Sequence, residues 1–192
     1  MKKSTNINQK QMVLAAIFSA IIIVMTVVPY TGYINYGGIA ELTTLHAITI
    51  IGACCMTPIY GAIVGGVWGS ACVLRAVAMS SFAGTAPFIN PIVSLLPRVL
   101  VGLFASLVFL GLKKVKCPLY YNAIISSIVV SLTNTIFVLT FYCLFNQDNS
   151  GFMTIMKTII ATLGTVNGLI ELGMAVVIVP PVIVALNKSI NR

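Results

Sequence analysis

The sequence predicts an all-α membrane protein, a six-helix transmembrane bundle with both the N- and the C-terminus in the cytoplasm. Of its 192 residues, 59% are hydrophobic and only 7% are charged, and the mean hydropathy is +1.06. Six spanning helices of roughly 20 residues each need about 120 residues. The chain therefore has room for six spans with short loops, and none for a separate soluble domain.

Six apolar runs account for the predicted helices, and turn-forming or polar stretches such as Pro29-Tyr30-Thr31-Gly32 separate them. Residues 1–11 are polar and are expected to form a cytoplasmic leader. A single membrane domain over 12–187 and a cytoplasmic tail over 188–192 follow. The runs lie at about 12–29, 43–57, 59–78, 92–112, 119–145 and 153–187.

The second run is the least certain span, because about 15 residues cover only about 22 Å of a hydrocarbon core of about 30 Å. A re-entrant segment is the alternative. The distribution of charge favours six spans, because eight cations then lie on the cytoplasmic side and only Lys157 lies in an outer loop. The eight are Lys2, Lys3, Lys10, Lys113, Lys114, Lys116, Lys188 and Arg192.

Rows of small residues at four-residue spacing predict faces where helices approach closely in lipid. The third run carries Gly61, Gly65 and Gly69, and is therefore expected at the centre of the bundle. The first run carries Ala16 and Ala20. The spacing alone leaves open whether such a row packs within the chain or docks on another membrane subunit.

Polar side chains inside the spans are the candidate site residues, because such groups are costly in lipid and usually face a cavity or a partner. Most of them fall in the outer half of the predicted bundle, which indicates a polar cavity open to the outside. A small polar ligand needs several such donors and acceptors in an otherwise apolar pocket. The candidates are Arg75, Arg98, Glu171, His46, Asn90, Asn134 and Asn167.

Simpler roles are open for several of these residues. Arg98 and Glu171 could form an ion pair that joins two helices, and His46 could make only a structural hydrogen bond. Tyr36, in the first outer loop, is either an interfacial anchor or part of a lid over the cavity.

The polar inventory predicts no enzyme, no metal site and no cofactor. No nucleophile lies recognisably beside a base, and the five cysteines contain no C-x-x-C pair that a zinc site would need. The nucleotide motif G-x-x-x-x-G-K-[ST] is absent, so the energy for any transport must come from an ion gradient or other subunits. Topology accounts for most of the net charge of +8, so no nucleic-acid partner is expected.

Three segments resemble a known family. They are residues 45–53 (LHAITIIGA), 57–65 (TPIYGAIVG) and 90–103 (NPIVSLLPRVLVGL), with Asn134-Thr135, Asn167 and Glu171 in later helices. Over about residues 12–187 the chain resembles the substrate-binding (S) components of energy-coupling factor (ECF) vitamin transporters. The resemblance implies a multi-pass protein of the bacterial plasma membrane that captures a small water-soluble vitamin at its outer face, under the first and third outer loops.

The resemblance also implies partners. Ala16 and Ala20 match the small residues through which such proteins dock on a transmembrane coupling (T) subunit, and two ATPase subunits below that partner supply the energy.

Pantothenate is the favoured vitamin, because Arg98 or Arg75 could bind its carboxylate through paired hydrogen bonds. Asn134, Asn167 and Glu171 could then bind its hydroxyl and amide groups. Riboflavin and vitamin B6 stay open. A standalone ion-coupled carrier, with Glu171 as the titrating group, is the alternative from another class.

Overall fold

The computed structural model describes residues 2–36, 40–78, 89–145 and 166–190. Within these ranges the chain forms six helices and a two-stranded sheet, so the all-α prediction is confirmed for the bundle, whereas the strands were not predicted. The elements are α1 (Lys2–Val27), β1 (Tyr33–Tyr36), β2 (Ala40–Thr43), α2 (Leu45–Cys54), α3 (Pro58–Ala78), α4 (Pro91–Lys114), α5 (Leu119–Phe145) and α6 (Val166–Ile190).

Five of these helices, α1 and α3 to α6, are long and apolar enough to cross a membrane. In α1 the apolar stretch begins at Gln9, but the helix itself begins at Lys2. The residues predicted as a separate leader are thus the first turns of the same helix. At the other end of the chain α6 continues to Ile190, past the predicted start of the tail.

The short helix α2 occupies the centre of the bundle. It is only 10 residues long, yet nine of them are buried, and it packs against each of the other five helices. The prediction that the third helix lies at the centre is wrong, since α3 packs mainly against α1, α2 and α4. A helix that is apolar on all sides is suited to a fully surrounded position, whereas glycines mark one close contact rather than a centre.

Hydrogen bonds at both ends of the second apolar run show its direction. The Thr44 N–H donates to the Gly32 carbonyl, 3.0 Å away and just past the end of α1. The Thr57 N–H donates to Gln11 Oε1, 2.8 Å away and near the opposite end of the apolar part of α1. Residues 44–57 therefore run antiparallel to α1 along most of its apolar length, although a helix of 10 residues alone is only about 15 Å long.

Helices α3 and α4 are in backbone contact through the predicted glycine row. A Cβ atom on Gly61 would meet the Gly102 carbonyl, one on Gly65 would meet the Arg98 carbonyl, and one on Gly69 would lie 2.8 Å from Leu95 Cα. The row thus forms a close contact between two antiparallel helices, and the spacing had predicted such a close approach. The contact places Arg98 at the level of Gly65 in the bundle.

The hairpin β1–β2 lies between α1 and α2, in the first predicted outer loop. Its strands pair antiparallel, with Tyr33 opposite Thr43. The Tyr33 hydroxyl lies 3.1 Å from Cys72 Sγ, and the guanidinium of Arg75 lies 3.8 Å from the centre of the Tyr33 ring. Burial, with a smaller contribution from Cys72, raises the pKa of Tyr33 well above its usual value. The hairpin is therefore anchored, by a neutral tyrosine, on the C-terminal turns of α3.

Candidate ligand-binding site

A small polar cavity lies between α2, α5 and α6. Three of the predicted site residues, His46, Asn134 and Glu171, line it together, with Ser131 and Thr135 beside them and two leucines completing the wall. Its volume is about 10 Å³, which is room for one water molecule. The open cavity expected from the sequence is therefore not seen among the described residues, whereas three of the candidate residues lie around one small space.

The end of the hairpin is held by two residues of this cavity. Glu171 Oε1 accepts a hydrogen bond from the Thr43 N–H at 2.9 Å. His46 Nδ1 lies 2.8 Å from the Thr43 carbonyl oxygen and donates to it. One hairpin residue is thus bonded through its N–H to α6 and through its C=O to α2. This contact holds the hairpin against the residues that line the cavity.

Three polar atoms of the cavity residues have no hydrogen-bonding partner among the described residues. They are His46 Nε2, Ser131 Oγ and Asn134 Oδ1, and all three are buried. A buried polar atom without a partner costs about 1–3 kcal/mol, so such atoms rarely cluster without a reason. Buried polar atoms of this kind around one space are typical of a site that binds a polar ligand or an ordered water.

Arg98 is buried in the bundle but does not line the cavity. Pro97, one residue before it, has no N–H, so the Val93 carbonyl four residues earlier lacks its usual helical donor. Arg98 Nη1 donates to that carbonyl at 3.3 Å, and the guanidinium lies 5.4 Å from the centre of the buried Trp68 ring. Local chain chemistry thus positions a cation, 7% exposed, inside the bundle.

Arg75 borders a different space, a groove of about 710 Å³ between α1 and α3. The groove wall is largely apolar, and its two hydroxyl groups donate to their own helices, Thr26 to the Ile22 carbonyl and Ser70 to the Gly66 carbonyl. Among the described residues that line it, Arg75 is the one charged side chain. The structure therefore separates Arg75 from the residues around the cavity.

The remaining predicted residues have other positions. The Asn90 side chain accepts a hydrogen bond from the Ile92 N–H at 3.0 Å and caps α4, so its polarity is explained without a ligand. Tyr36 lies in β1 and Asn167 in the first turn of α6, but their side chains lie outside the described part of the structure, as do Lys157 and the third outer loop. Ala16 and Ala20 are exposed on α1.

Sequence reasoning missed Ser131, Thr43 and Trp68. Ser131 had a signal, because it lies three residues before Asn134 and thus on the same face of one helix. Thr43 had no such signal, since it makes its hydrogen bonds to Glu171 and His46 through its backbone N–H and C=O. Trp68 is the one tryptophan of the sequence, but the sequence gives no sign that its ring lies beside Arg98.

Five helices long and apolar enough to cross a membrane indicate a multi-pass membrane protein, and polar groups buried inside such a protein are typical of a site for a ligand or an ion. The family described as "ECF transporter, substrate-specific component" matches residues 10–183, and the chain belongs to this family of cell-membrane transport proteins. It is also 32% identical over 108 residues to the pantothenate transporter PanT of Leuconostoc mesenteroides subsp. mesenteroides. That similarity covers 55% of this chain and 53% of the relative, so the chain spans about half the length of the curated protein it matches.

Proposed function

We propose that this chain is the vitamin-binding S component of an ECF importer and that pantothenate is its ligand. The observation that carries the proposal is the group of buried polar atoms without partners at His46, Ser131 and Asn134. Membership of the family of substrate-specific components supports a small-molecule ligand. The similarity to a pantothenate transporter favours pantothenate over riboflavin and vitamin B6.

Binding of a vitamin requires the hairpin to move. The cavity has room for about one water molecule. Pantothenate, which has an acyl group with two hydroxyls, an amide and a carboxylate, is too large to fit. The two hydrogen bonds of Thr43 to Glu171 and His46 are the contacts between the hairpin and the cavity wall. Opening these bonds would free the end of the hairpin to move away from the wall and would so make room for a ligand.

All six helices cross the membrane in the proposed topology, with both termini in the cytoplasm. The second crossing is residues 44–57, whose end contacts reach both ends of the apolar part of α1. In this arrangement residues 1–11 and 188–192 are cytoplasmic on either side of the membrane domain, 12–187. The lysines around the turn between α4 and α5 then lie on the same side as those of the N-terminus.

The proposed partners are a transmembrane coupling subunit and two ATPase subunits. Ala16 and Ala20 support a docking surface, since they form a row of small, exposed residues on α1. Replacing Ala20 with Leu is expected to abolish energised uptake while the vitamin still binds. Val129→Leu, at an exposed position on α5, is the matched control and should leave uptake unchanged.

Ligand-dependent stability tests the proposal. Pantothenate at 100 times its Kd should stabilise the purified protein by about 2.7 kcal/mol, which raises its melting temperature. Mass spectrometry of the small molecule released on denaturation should identify the same compound. Stabilisation by riboflavin or pyridoxine instead would overturn the choice of vitamin, and stabilisation by none of them would overturn the function.

Proteoliposomes separate this proposal from a standalone carrier. The chain alone should bind pantothenate without transporting it along a proton or sodium gradient. Gradient-driven uptake that is lost in Glu171→Gln would show the carrier function instead.

A further inference from the structure

The hydrogen-bonding roles of the cavity atoms follow from what each one already contacts. A carbonyl oxygen can only accept, so His46 Nδ1, 2.8 Å from the Thr43 carbonyl, carries the hydrogen. In the neutral imidazole Nε2 is then an acceptor. This Nε2 is the atom that is buried without a partner among the described residues. In its neutral form, His46 therefore offers the cavity an acceptor.

Glu171 offers acceptors as well. A carboxylate has two oxygens with about four lone-pair positions and no hydrogen to donate. One oxygen accepts the Thr43 N–H at 2.9 Å, and the group still has capacity for further donors. The buried Asn134 Oδ1 is a third acceptor without a partner. The Ser131 hydroxyl can either donate or accept.

The charge of the cavity wall also favours hydrogen-bond donors over anions. Its described residues include one acid, Glu171, and no lysine or arginine. A carboxylate placed here would meet a like charge and the lone pairs of His46 and Asn134. Like charges this close cost free energy in a partly buried site, where water screens them weakly.

We propose that the cavity binds the hydrogen-bond donors of the ligand, hydroxyl or amide N–H groups, and excludes its carboxylate. This inference rests on the proposed function and specifies how the ligand is oriented. Pantothenate would enter with its dihydroxy acyl end, and its carboxylate would stay outside the cavity. Arg98, for which the sequence predicted a contact with the carboxylate, is buried and does not line the cavity, so such a contact would form outside the cavity.

The substitution Glu171→Gln tests this orientation by the sign of its effect. Glutamine keeps an oxygen that can accept the Thr43 N–H, so the hairpin contact can persist, but it replaces the other oxygen with an NH₂ donor. Pantothenate should bind this variant about tenfold to a hundredfold more weakly, because a bond between a hydroxyl and a charged acceptor is lost. Tighter binding would overturn the inference, since it is the result expected if the carboxylate occupies the cavity.

Two analogues test the same point, and the first comparison uses the wild-type protein alone, so its result does not depend on whether a variant folds. An analogue with both hydroxyls of the acyl end methylated should bind at least tenfold more weakly than pantothenate to the wild type. It should bind equally to wild type and Glu171→Gln. In panthenol a hydroxymethyl group replaces the carboxylate. The affinity for panthenol should fall by the same factor as the affinity for pantothenate when Glu171 is replaced with Gln.

The failure of this inference differs from the failure of the proposed function. If the wild type binds pantothenate but tolerates methylation of the hydroxyls, the orientation is wrong and the function stands. If the wild type does not bind pantothenate at concentrations up to millimolar, the proposed function fails, and the orientation fails with it.

Discussion

The two sides of the bundle are packed in different ways. Between α3 and α4, glycines bring the backbones into direct contact, and little space remains. Between α2, α5 and α6, polar side chains surround a small cavity, and three of their buried atoms lack partners among the described residues. The first arrangement stabilises the fold, whereas the second costs stability unless a ligand supplies the missing hydrogen bonds. The difference is the reason for proposing the binding site between α2, α5 and α6.

The largest expected effect is on the α3–α4 contact. In Gly65→Ala the new Cβ would overlap the Arg98 carbonyl, and backbone cannot turn aside as a side chain can. We expect a loss of about 3 kcal/mol in the free energy of unfolding, the upper end of the usual range for overpacking. Thermal unfolding in detergent measures it.

Gly111→Ala is the matched control, since it lies on α4 and a Cβ there would meet nothing within 4 Å. It should leave the melting temperature unchanged or raise it slightly, because alanine favours helix over glycine. Equal effects of the two substitutions would show that the α3–α4 contact does not hold the bundle together.

A smaller effect should separate two asparagines of α5. The Asn122 side chain donates to the Phe109 carbonyl at 3.0 Å and its Oδ1 accepts from Ser126 at 3.2 Å, whereas Asn134 Oδ1 has no partner among the described residues. Asn122→Ala should lower stability by about 1 kcal/mol, a usual value for such bonds between membrane helices, with little change in affinity. Asn134→Ala should weaken vitamin binding about tenfold without lowering stability.

Thermal unfolding and ligand titration of both variants provide the test. A loss of affinity in Asn122→Ala but not in Asn134→Ala would show that the ligand does not bind in the cavity between α2, α5 and α6.

The smallest expected effect concerns the hairpin at high pH. Burial raises the pKa of Tyr33 above its unfolded value near 10. The neutral form is thus favoured in the folded protein, and its contribution to stability is complete below pH 10 and is lost as the pH rises further. Between pH 9 and 11 the melting temperature of the wild type should therefore fall more steeply than that of Tyr33→Phe. Parallel curves would show that Tyr33 is not buried between the hairpin and α3.

The sequence was sufficient to predict those parts of the fold that depend on composition and spacing. Apolar runs predicted the helices, and the glycine spacing predicted the α3 contact, because close approach in lipid requires small residues. The central position of α2 could not be predicted from the sequence, since a run of about 15 apolar residues is compatible with a short span, a re-entrant segment or a buried helix. The hairpin was missed because its strands have only four residues each.

The candidate site was predictable in part for a similar physical reason. His46, Asn134 and Glu171 are rare polar groups in apolar segments, and their cost in lipid marks them wherever they lie. The sequence could not show which of the polar residues lie next to each other, because contacts between helices depend on how the helices pack. Arg75 faces a groove, and Arg98 reaches a carbonyl freed by Pro97. Asn90 shares a face with Arg98 but caps its helix.

Calorimetric titration of the purified wild-type protein with pantothenate tests the central claim most directly. The account predicts saturable binding of one pantothenate per chain, no binding of riboflavin or pyridoxine under the same conditions, and about tenfold weaker binding by Asn134→Ala. Absence of pantothenate binding, or binding that Asn134→Ala leaves unchanged, would contradict the account.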